Sequence, residues 1–216
     1  MRYNARVRVT EIFFSIQGEG SRAGRPCVFV RFTGCDLRCG YCDTAYAFHG
    51  GTDMTCDEIV AAVARHPSRF ILLTGGEPLL QKDLPRLAEE LIAAGYEVAI
   101  ETHGQRPLDM LPPSAIRIVD VKTPGSGEVT TDFAYLDRLM PHDEVKFVVC
   151  SEEDFRWSAD VVRRHGLEQR VSVLFSPAWG QVDAKDLARW LLESGLDARL
   201  SLQIHKVLWG AEARGV

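Results

Sequence analysis

The segment Gly34-Cys35-Asp36-Leu37-Arg38-Cys39-Gly40-Tyr41-Cys42-Asp43-Thr44 holds three of the chain's six cysteines, spaced C-x3-C-x2-C. Three thiolates this close can wrap one polynuclear metal centre, because the two glycines let a short loop curl while each sulfur points inward. Soft thiolate ligands favour iron-sulfur clusters or zinc. A fourth cysteine at matching spacing is missing, so the segment predicts either an incompletely ligated cluster or a zinc site completed by His49 or Cys56.

Length and composition limit the remaining possibilities. The 216 residues fit one domain, 1–216, which is long enough to bury a substantial core. The N-terminal residues contain no apolar signal core and no apolar run reaches bilayer length, which predicts a cytoplasmic location, no membrane association and no disulfides. The net charge of -5 argues against nucleic-acid binding and favours a small-molecule substrate.

Strand and helix patterns alternate along the chain. β-branched and aromatic content predicts strands at 7–16, 27–32, 70–73, 98–100, 116–121, 145–149 and 171–175, with a last segment at 200–204. Helices are predicted after N-terminal caps at Thr55 and Ser151, and over 83–94 and 184–193. Four helices are too few for an eightfold barrel, so the pattern predicts an α/β fold, an incomplete TIM-like barrel of parallel strands.

Polar or glycine-rich residues follow several of the predicted strands. They include the cysteine loop, Thr74-Gly75-Gly76-Glu77-Pro78, Glu101-Thr102-His103-Gly104, Lys122-Thr123-Pro124-Gly125 and Ser176-Pro177-Ala178-Trp179. The carboxyl ends of parallel strands meet at one rim, where such loops converge on a ligand. The sequence therefore predicts one site at that rim.

An iron left open by three cysteine ligands can bind the amine and carboxylate of an amino acid. The Gly75-Gly76-Glu77 turn can hold the ammonium through its carbonyls and the Glu77 carboxylate. The cysteine loop followed by this turn resembles the radical S-adenosylmethionine superfamily. That resemblance implies a 4Fe-4S cluster which, when reduced, splits S-adenosylmethionine to a 5'-deoxyadenosyl radical. Cys27, Cys56 and Cys150 are expected to be inert.

A set of ordered motifs narrows the resemblance. They are Phe14-Ser15-Ile16-Gln17-Gly18-Glu19-Gly20, Arg31-Phe32-Thr33-Gly34-Cys35, Cys42-Asp43-Thr44, Thr74-Gly75-Gly76-Glu77-Pro78, Ile100-Glu101-Thr102 and Gln203-Ile204-His205-Lys206. Over almost the whole chain they resemble the 7-carboxy-7-deazaguanine synthase family. The resemblance implies conversion of 6-carboxy-5,6,7,8-tetrahydropterin to 7-carboxy-7-deazaguanine with loss of ammonia, in the biosynthesis of queuosine and other 7-deazapurines. It also implies a homodimer, magnesium dependence and a flavodoxin-like electron donor.

The same resemblance implies roles for residues that match the family motifs. Cys35, Cys39 and Cys42 match the cluster ligands, and the Thr44 hydroxyl matches the magnesium ligand. The residues that match substrate-binding positions are Ile16, Gln17, Gly18, Arg31, Thr74 and Val216.

A second group of positions matches the contacts with S-adenosylmethionine. They are Tyr41, Cys42, Asp43, Gly76, Asp120, Val121, Lys122, Ser176, Pro177, Ala178 and Trp179. Glu101 and His205 are further candidates for the site. Taken singly, these residues also fit simpler interpretations: a turn at 17–20, an N-cap at Thr44, a rim ion pair at Arg31 and solvated strand-end groups at Glu101 and His205.

Two other functions share part of the pattern. An activating enzyme for a glycyl-radical partner protein also has C-x3-C-x2-C and a GGEP-like turn, but the QGEG segment, Thr44 and the HK segment argue against it. A non-catalytic metal-binding or electron-transfer module would need a fourth fixed ligand at its cluster.

Overall fold

The β-sheet is built outward from the strand that leads into the cysteine loop. In the computed structural model, which describes residues 6–216, this strand is β2 (Pro26–Phe32), and it pairs antiparallel with β1 (Arg6–Ile16). β3 (Thr52–Thr55) pairs antiparallel with the start of β1. The sheet therefore begins with a short antiparallel edge.

The rest of the sheet is parallel. Its strands, in spatial as well as chain order beyond β2, are β4 (Phe70–Gly75), β5 (Glu97–Thr102), β6 (Ile116–Asp120), β7 (Glu144–Val149), β8 (Ser172–Pro177) and β9 (Arg199–Leu200). Across the described residues the sheet has nine strands, ends at β3 and β9, and does not close. This confirms the predicted incomplete barrel, and its parallel strands all end at one rim.

Four of the helices in residues 6–216 pack on one face of this sheet: α1 (Cys56–Val63), α2 (Leu84–Ala93), α3 (Glu152–His165) and α4 (Ala184–Ser194). The short α5 (Ile204–Trp209) lies instead beside the turn that follows β1. The predicted capping box is present, because the Thr55 hydroxyl accepts from the Glu58 backbone N and the Glu58 carboxylate accepts from the Thr55 backbone N. The Ser151 hydroxyl likewise accepts a hydrogen bond from the backbone N of Asp154.

Two elements differ from the sequence prediction. β3 is a Thr-Asp-Met-Thr segment of only four residues with no apolar alternation, so its pairing with β1 could not be read from its own residues. The segment predicted at 200–204 is instead a two-residue strand followed by α5. His205 therefore lies on a helix rather than at a strand end, and Val207 and Leu208 of that helix are exposed, which removes the amphipathic signal.

Side-chain alternation divides each strand between two environments. In β2, Val28, Val30 and Phe32 belong to the main core, whereas Cys27 and Phe29 belong to a smaller cluster on the opposite, inner face. The same alternation in the later strands turns polar side chains near their carboxyl ends toward the inner face. The fold therefore brings charged side chains together on the inner face, near the carboxyl ends of the strands. No helix within residues 6–216 combines the length and apolarity that a bilayer span requires.

Candidate active site

The inner face of the sheet opens at its carboxyl rim into a cavity of about 270 Å³. The cysteine loop, the 17–20 turn, the ends of β2 and β4 to β7, α5 and the tail 210–216 form its wall. The alternation described above places Arg31, Thr74, Glu101, Asp120 and Lys146 on this face. A polar site therefore lies where parallel strands and their loops converge.

The thiols of Cys35, Cys39 and Cys42 line the cavity and are half-buried. Burial raises the pKa of Cys35 and of Cys39, and the neighbouring thiols add to this rise. A positive metal centre would reverse that effect, because coordination favours the thiolate. The donor set thus fits a thiolate-bound cluster.

The structure does not assemble the alternative zinc site. A tetrahedral zinc requires its ligands within about 2.0–2.3 Å of one point. Among residues 6–216, no group of three or more His, Cys, Asp or Glu side chains is placed to hold one ion. Cys56, the first residue of α1, is buried in the hydrophobic core, and His49 is exposed.

The Gly75-Gly76 turn is joined to the cysteine loop through backbone contacts. The backbone N of Gly76 donates to the carbonyl of Phe32 at 3.1 Å, and that of Glu77 donates to the carbonyl of Gly34 at 2.7 Å. A Cβ at Gly76 would overlap the Gly34 carbonyl, and Gly75 has φ of 146°. The two glycines therefore let the end of β4 lie directly beneath the cluster loop.

The prediction that the Glu77 carboxylate holds a ligand ammonium is wrong in this structure. Glu77 is fully buried and accepts hydrogen bonds from the backbone N of Leu79 at 2.9 Å and the backbone N of His103 at 3.0 Å. It also accepts from the Thr102 hydroxyl at 2.7 Å. Its oxygens are used to join the turn to the end of β5, and its side chain does not line the cavity.

Two polar side-chain atoms of the cavity wall are available to a ligand. Within the part of the chain that the structure describes, Tyr41 Oη and Asp120 Oδ1 are buried without a hydrogen bond. Lys122 Nζ lies 2.9 Å from the other Asp120 oxygen and 5.7 Å from the centre of the Tyr41 ring. Buried polar groups are rarely left unpaired, so these atoms fit a polar ligand bound beside the cysteine loop.

Asp43 and Thr44, at the end of the cysteine loop, line the same cavity. The Thr44 hydroxyl donates to Asp43 Oδ1 at 2.9 Å and makes no cap hydrogen bond to the short helical turn that follows it. Lys206 Nζ lies 2.6 Å from Asp43 Oδ2. Partial desolvation opposes ionisation of Asp43, but the charge of Lys206 outweighs it, and the pKa of Asp43 falls to about 2. The Thr44 oxygen keeps lone pairs for a cation.

Arg31 combines the ion pair and the cavity position that the sequence left as alternatives. Its Nε donates to Glu11 Oε1 at 2.7 Å, and the Tyr46 hydroxyl donates to the same oxygen at 2.7 Å. The guanidinium lines the cavity. Arg214 of the C-terminal tail stacks over the Tyr46 ring at 4.3 Å, which brings the tail and Val216 to the same wall.

Sequence reasoning missed the most buried charge of the site. Lys146 is 5% exposed, and its Nζ lies 2.5 Å from Glu101, 2.9 Å from Glu19 and 3.5 Å from Asp120. Burial opposes its charge, but these carboxylates raise the pKa of Lys146 well above its ordinary value. A lysine inside the apolar β7 run was the available signal, as Arg31 was in β2.

Comparisons with known proteins agree with this geometry. A family model described as the Radical SAM superfamily matches residues 29–121. A 7-carboxy-7-deazaguanine synthase of Koribacter versatilis is 47% identical, over 97% of this chain and 100% of its own length. One of Chlorobaculum tepidum is 41% identical over 100% of both chains. The chain belongs to the 7-carboxy-7-deazaguanine synthase family.

The fold agrees with solved structures as well. The crystal structure of QueE from Escherichia coli matches with a TM-score of 0.78 at 23% identity, over 92% of this chain and 94% of that one. Streptococcus suis SuiB bound to precursor peptide SuiA matches with a TM-score of 0.60 over 79% of this chain and 46% of that one. Membership of the 7-carboxy-7-deazaguanine synthase family implies a 4Fe-4S cluster and S-adenosylmethionine as cofactors.

Most of the residues predicted for a 7-carboxy-7-deazaguanine synthase site share the one cavity wall. They are Ile16, Gln17, Gly18, Arg31, Cys35, Cys39, Tyr41, Cys42, Asp43, Thr44, Thr74, Gly76, Glu101, Asp120, Lys122, Ala178, Trp179, His205 and Val216. Three predicted residues stand outside it. Val121 is in the core, the Ser176 hydroxyl donates to the Ser201 carbonyl at 2.6 Å, and Pro177 ends β8. Their contact with S-adenosylmethionine stays a prediction.

Proposed function

We infer that this chain is a 7-carboxy-7-deazaguanine synthase, a radical S-adenosylmethionine lyase of 7-deazapurine biosynthesis. It converts 6-carboxy-5,6,7,8-tetrahydropterin to 7-carboxy-7-deazaguanine with loss of ammonia. The observation that carries this conclusion is the single cavity shared by the three loop cysteines and the charged strand-end residues, in a chain 47% identical to a curated synthase.

The wall divides into a cofactor side and a substrate side. Cys35, Cys39 and Cys42 would hold three irons of the cluster, and the unpaired Tyr41 and Asp120 atoms would receive polar groups of S-adenosylmethionine. When bound, cluster and cofactor supply the radical that removes hydrogen from C6 of the pterin. The protein's own part is to hold both molecules in one cavity and to keep water from the reacting carbon.

The substrate side matches the polarity of a carboxylated pterin. Arg31 offers a guanidinium to an anionic or polar edge of the substrate, while its Nε stays fixed by Glu11. Glu19 and Glu101 offer carboxylate oxygens to ring N–H donors, and Lys146 holds both carboxylates in place. These opposite polarities on one wall orient a flat heterocycle.

Magnesium, dimerisation and electron supply belong to the same proposal. Thr44 would give its hydroxyl oxygen to Mg²⁺, because its proton is already donated to Asp43. The exposed Leu200, Val207 and Leu208 near the free β9 edge are candidates for a homodimer interface. A flavodoxin-like donor would reduce the cluster.

Product analysis tests the function directly. Reconstituted protein is incubated without oxygen with dithionite, S-adenosylmethionine, MgCl₂ and the pterin, and the products are identified by mass spectrometry. We expect 7-carboxy-7-deazaguanine together with ammonia, and neither in a Cys39→Ala protein. Formation of 5'-deoxyadenosine without any deazaguanine would refute the substrate and favour a glycyl-radical activating enzyme instead.

A further inference from the structure

Lys206 of α5 is a buried lysine at the cavity wall that the family motifs leave without a role. Its side chain is 7% exposed, although it belongs to a helix whose neighbouring Val207 and Leu208 face solvent. Its Nζ lies 2.6 Å from Asp43 Oδ2 and donates to Gln203 Oε1 at 2.8 Å. A lysine is rarely buried unless it is paired, so this placement serves a specific contact.

The lysine connects two segments that the family resemblance implies to contact S-adenosylmethionine. Asp43 comes from the cysteine loop, and Trp179 follows β8. Lys206 Nζ lies 5.8 Å from the centre of the Trp179 ring, within the range of a cation–π contact. Trp179 is 50% exposed and lines the cavity, so its ring depends on such contacts for its orientation.

The helix that carries Lys206 is itself fixed to the turn that follows β1. The backbone N of Ile204 donates to the Gly18 carbonyl at 3.0 Å, and Gln203 Nε2 donates to Glu19 Oε1 at 2.8 Å. A Cβ at Gly18 would overlap the His205 ring, so the turn and the helix are in close contact. Lys206 therefore reaches Asp43 from a fixed position.

Asp43, held by Lys206, in turn orients the hydroxyl of Thr44. One carboxylate oxygen receives Lys206, and the other accepts the Thr44 hydroxyl at 2.9 Å. Without the lysine, Asp43 Oδ2 would keep only a long contact of 3.4 Å from Gln203 Nε2, and its charge would be left to repel other anionic groups or to bind a cation itself. The contacts from Lys206 to Asp43 and from Asp43 to Thr44 thus determine which carboxylate or hydroxyl oxygen a ligand can reach.

We propose that Lys206 is a positioning residue that holds Asp43 and Trp179 in the geometry that binds S-adenosylmethionine. This inference rests on the proposed function only in taking S-adenosylmethionine as the cofactor, and it does not depend on the pterin substrate. The contact is made from α5, near the end of the chain, to the cysteine loop near its beginning. The C-terminal helix is therefore part of the cofactor site.

The test measures binding without turnover. Wild type, Lys206→Met and Lys206→Arg proteins are reconstituted, their iron and sulfide contents are determined, and S-adenosylmethionine binding is measured by anaerobic equilibrium dialysis without reductant. We expect binding about tenfold weaker in Lys206→Met and within about threefold of wild type in Lys206→Arg, which keeps a charged donor. Lys185→Met, at an exposed lysine of α4, should bind as wild type does.

A double-mutant cycle separates positioning from general loss of structure. If Lys206 acts through Asp43, Lys206→Met should weaken binding far less in an Asp43→Asn background than in wild type. Equal losses in both backgrounds would overturn the proposal, as would wild-type binding in a Lys206→Met protein that is only less heat-stable. If Lys206→Met takes up no iron, Lys206→Gln replaces it in the same cycle with the same expected pattern.

These outcomes are distinct from failure of the proposed function. A protein that binds S-adenosylmethionine through Lys206 but forms no deazaguanine would retain the positioning role and lose the assigned substrate. A protein that forms deazaguanine while Lys206→Met binds the cofactor as tightly as wild type would retain the function and lose the positioning role.

Discussion

Lys146 Nζ lies 2.5 Å from Glu101 Oε1, so one buried ammonium joins the middle of β7 to the end of β5. The same nitrogen lies 2.9 Å from Glu19, which belongs to the turn after β1. Three separate segments of the cavity wall are therefore held by a single positive charge. Removing one partner of a buried ion group leaves the other charges uncompensated, which is the costly case for buried pairs.

We predict that Lys146→Met lowers the free energy of unfolding by about 3–5 kcal/mol near neutral pH. Lys146 lowers the pKa of Glu19, and Lys122 together with Lys146 lowers the pKa of Asp120, in both cases against the effect of burial. This stabilisation is present above the ordinary carboxyl pKa of about 4 and is lost as the pH falls below it. The deficit of the variant should therefore shrink between pH 7.5 and about pH 3 in urea unfolding experiments.

The exposed Lys185→Met variant is the matched control for this experiment and should unfold as wild type does at both pH values. A Lys146→Met deficit that is the same at pH 7.5 and about pH 3 would mean that lost packing, rather than the uncompensated carboxylates, causes the destabilisation.

Gly76→Ala should prevent assembly of the cluster. The added Cβ would overlap the Gly34 carbonyl, a backbone atom that cannot move without displacing the cysteine loop. We expect an iron content well below that of wild type after reconstitution. Gly40→Ala lies in the same loop, but its nearest contact would be 3.9 Å, at an ordinary van der Waals distance, so this variant should load iron normally. Equal iron contents in the two variants would contradict the close contact at Gly76.

Glu77→Gln tests the revised role of the GGEP glutamate. The amide would set an N–H group against donors that now bond to the carboxylate, from Leu79, Thr102 and His103. We expect a loss of about 1–3 kcal/mol in the free energy of unfolding. The folded, iron-loaded variant should bind S-adenosylmethionine within a few-fold of wild type in equilibrium dialysis. A selective loss of cofactor binding at unchanged stability would restore the direct ammonium contact.

Thr44→Ala should weaken the magnesium response with the cluster intact. The hydroxyl oxygen is the proposed ligand, and its removal leaves the cysteine loop otherwise unchanged. Product formation measured over a MgCl₂ series should need more Mg²⁺ in Thr44→Ala, while Thr44→Ser should behave like wild type. An unchanged magnesium dependence at equal iron content would remove Thr44 from this role.

Sequence reasoning identified features that depend on neighbouring residues and missed features that depend on contacts between distant segments. The cysteine loop and the capping box at Thr55 are local patterns, and both appear as predicted. Arg31 was recognised because a charge interrupts an apolar strand, and Lys146 carries the same signal in β7. Its three carboxylate partners, however, come from distant segments, so their meeting depends on strand order.

The remaining differences have similar causes. α5 has six residues and exposed apolar side chains, so neither length nor periodicity marks it as a helix. Glu77 looks like a ligand in a glycine-rich turn, but its partners at Thr102 and His103 become visible only when β4 and β5 lie side by side. Local patterns thus identified the chemistry, and tertiary contacts decided which side chains reach it.

The central claim is that the cluster and the pterin share one cavity, and the most direct test follows the hydrogen atom at C6 of the pterin. The enzyme is incubated without oxygen with the pterin deuterated at C6, S-adenosylmethionine, dithionite and MgCl₂, and the adenosyl products are analysed by mass spectrometry. We predict that deuterium appears in 5'-deoxyadenosine or in recovered S-adenosylmethionine, alongside 7-carboxy-7-deazaguanine. Unlabelled 5'-deoxyadenosine together with pterin that keeps all its deuterium would contradict a common active site.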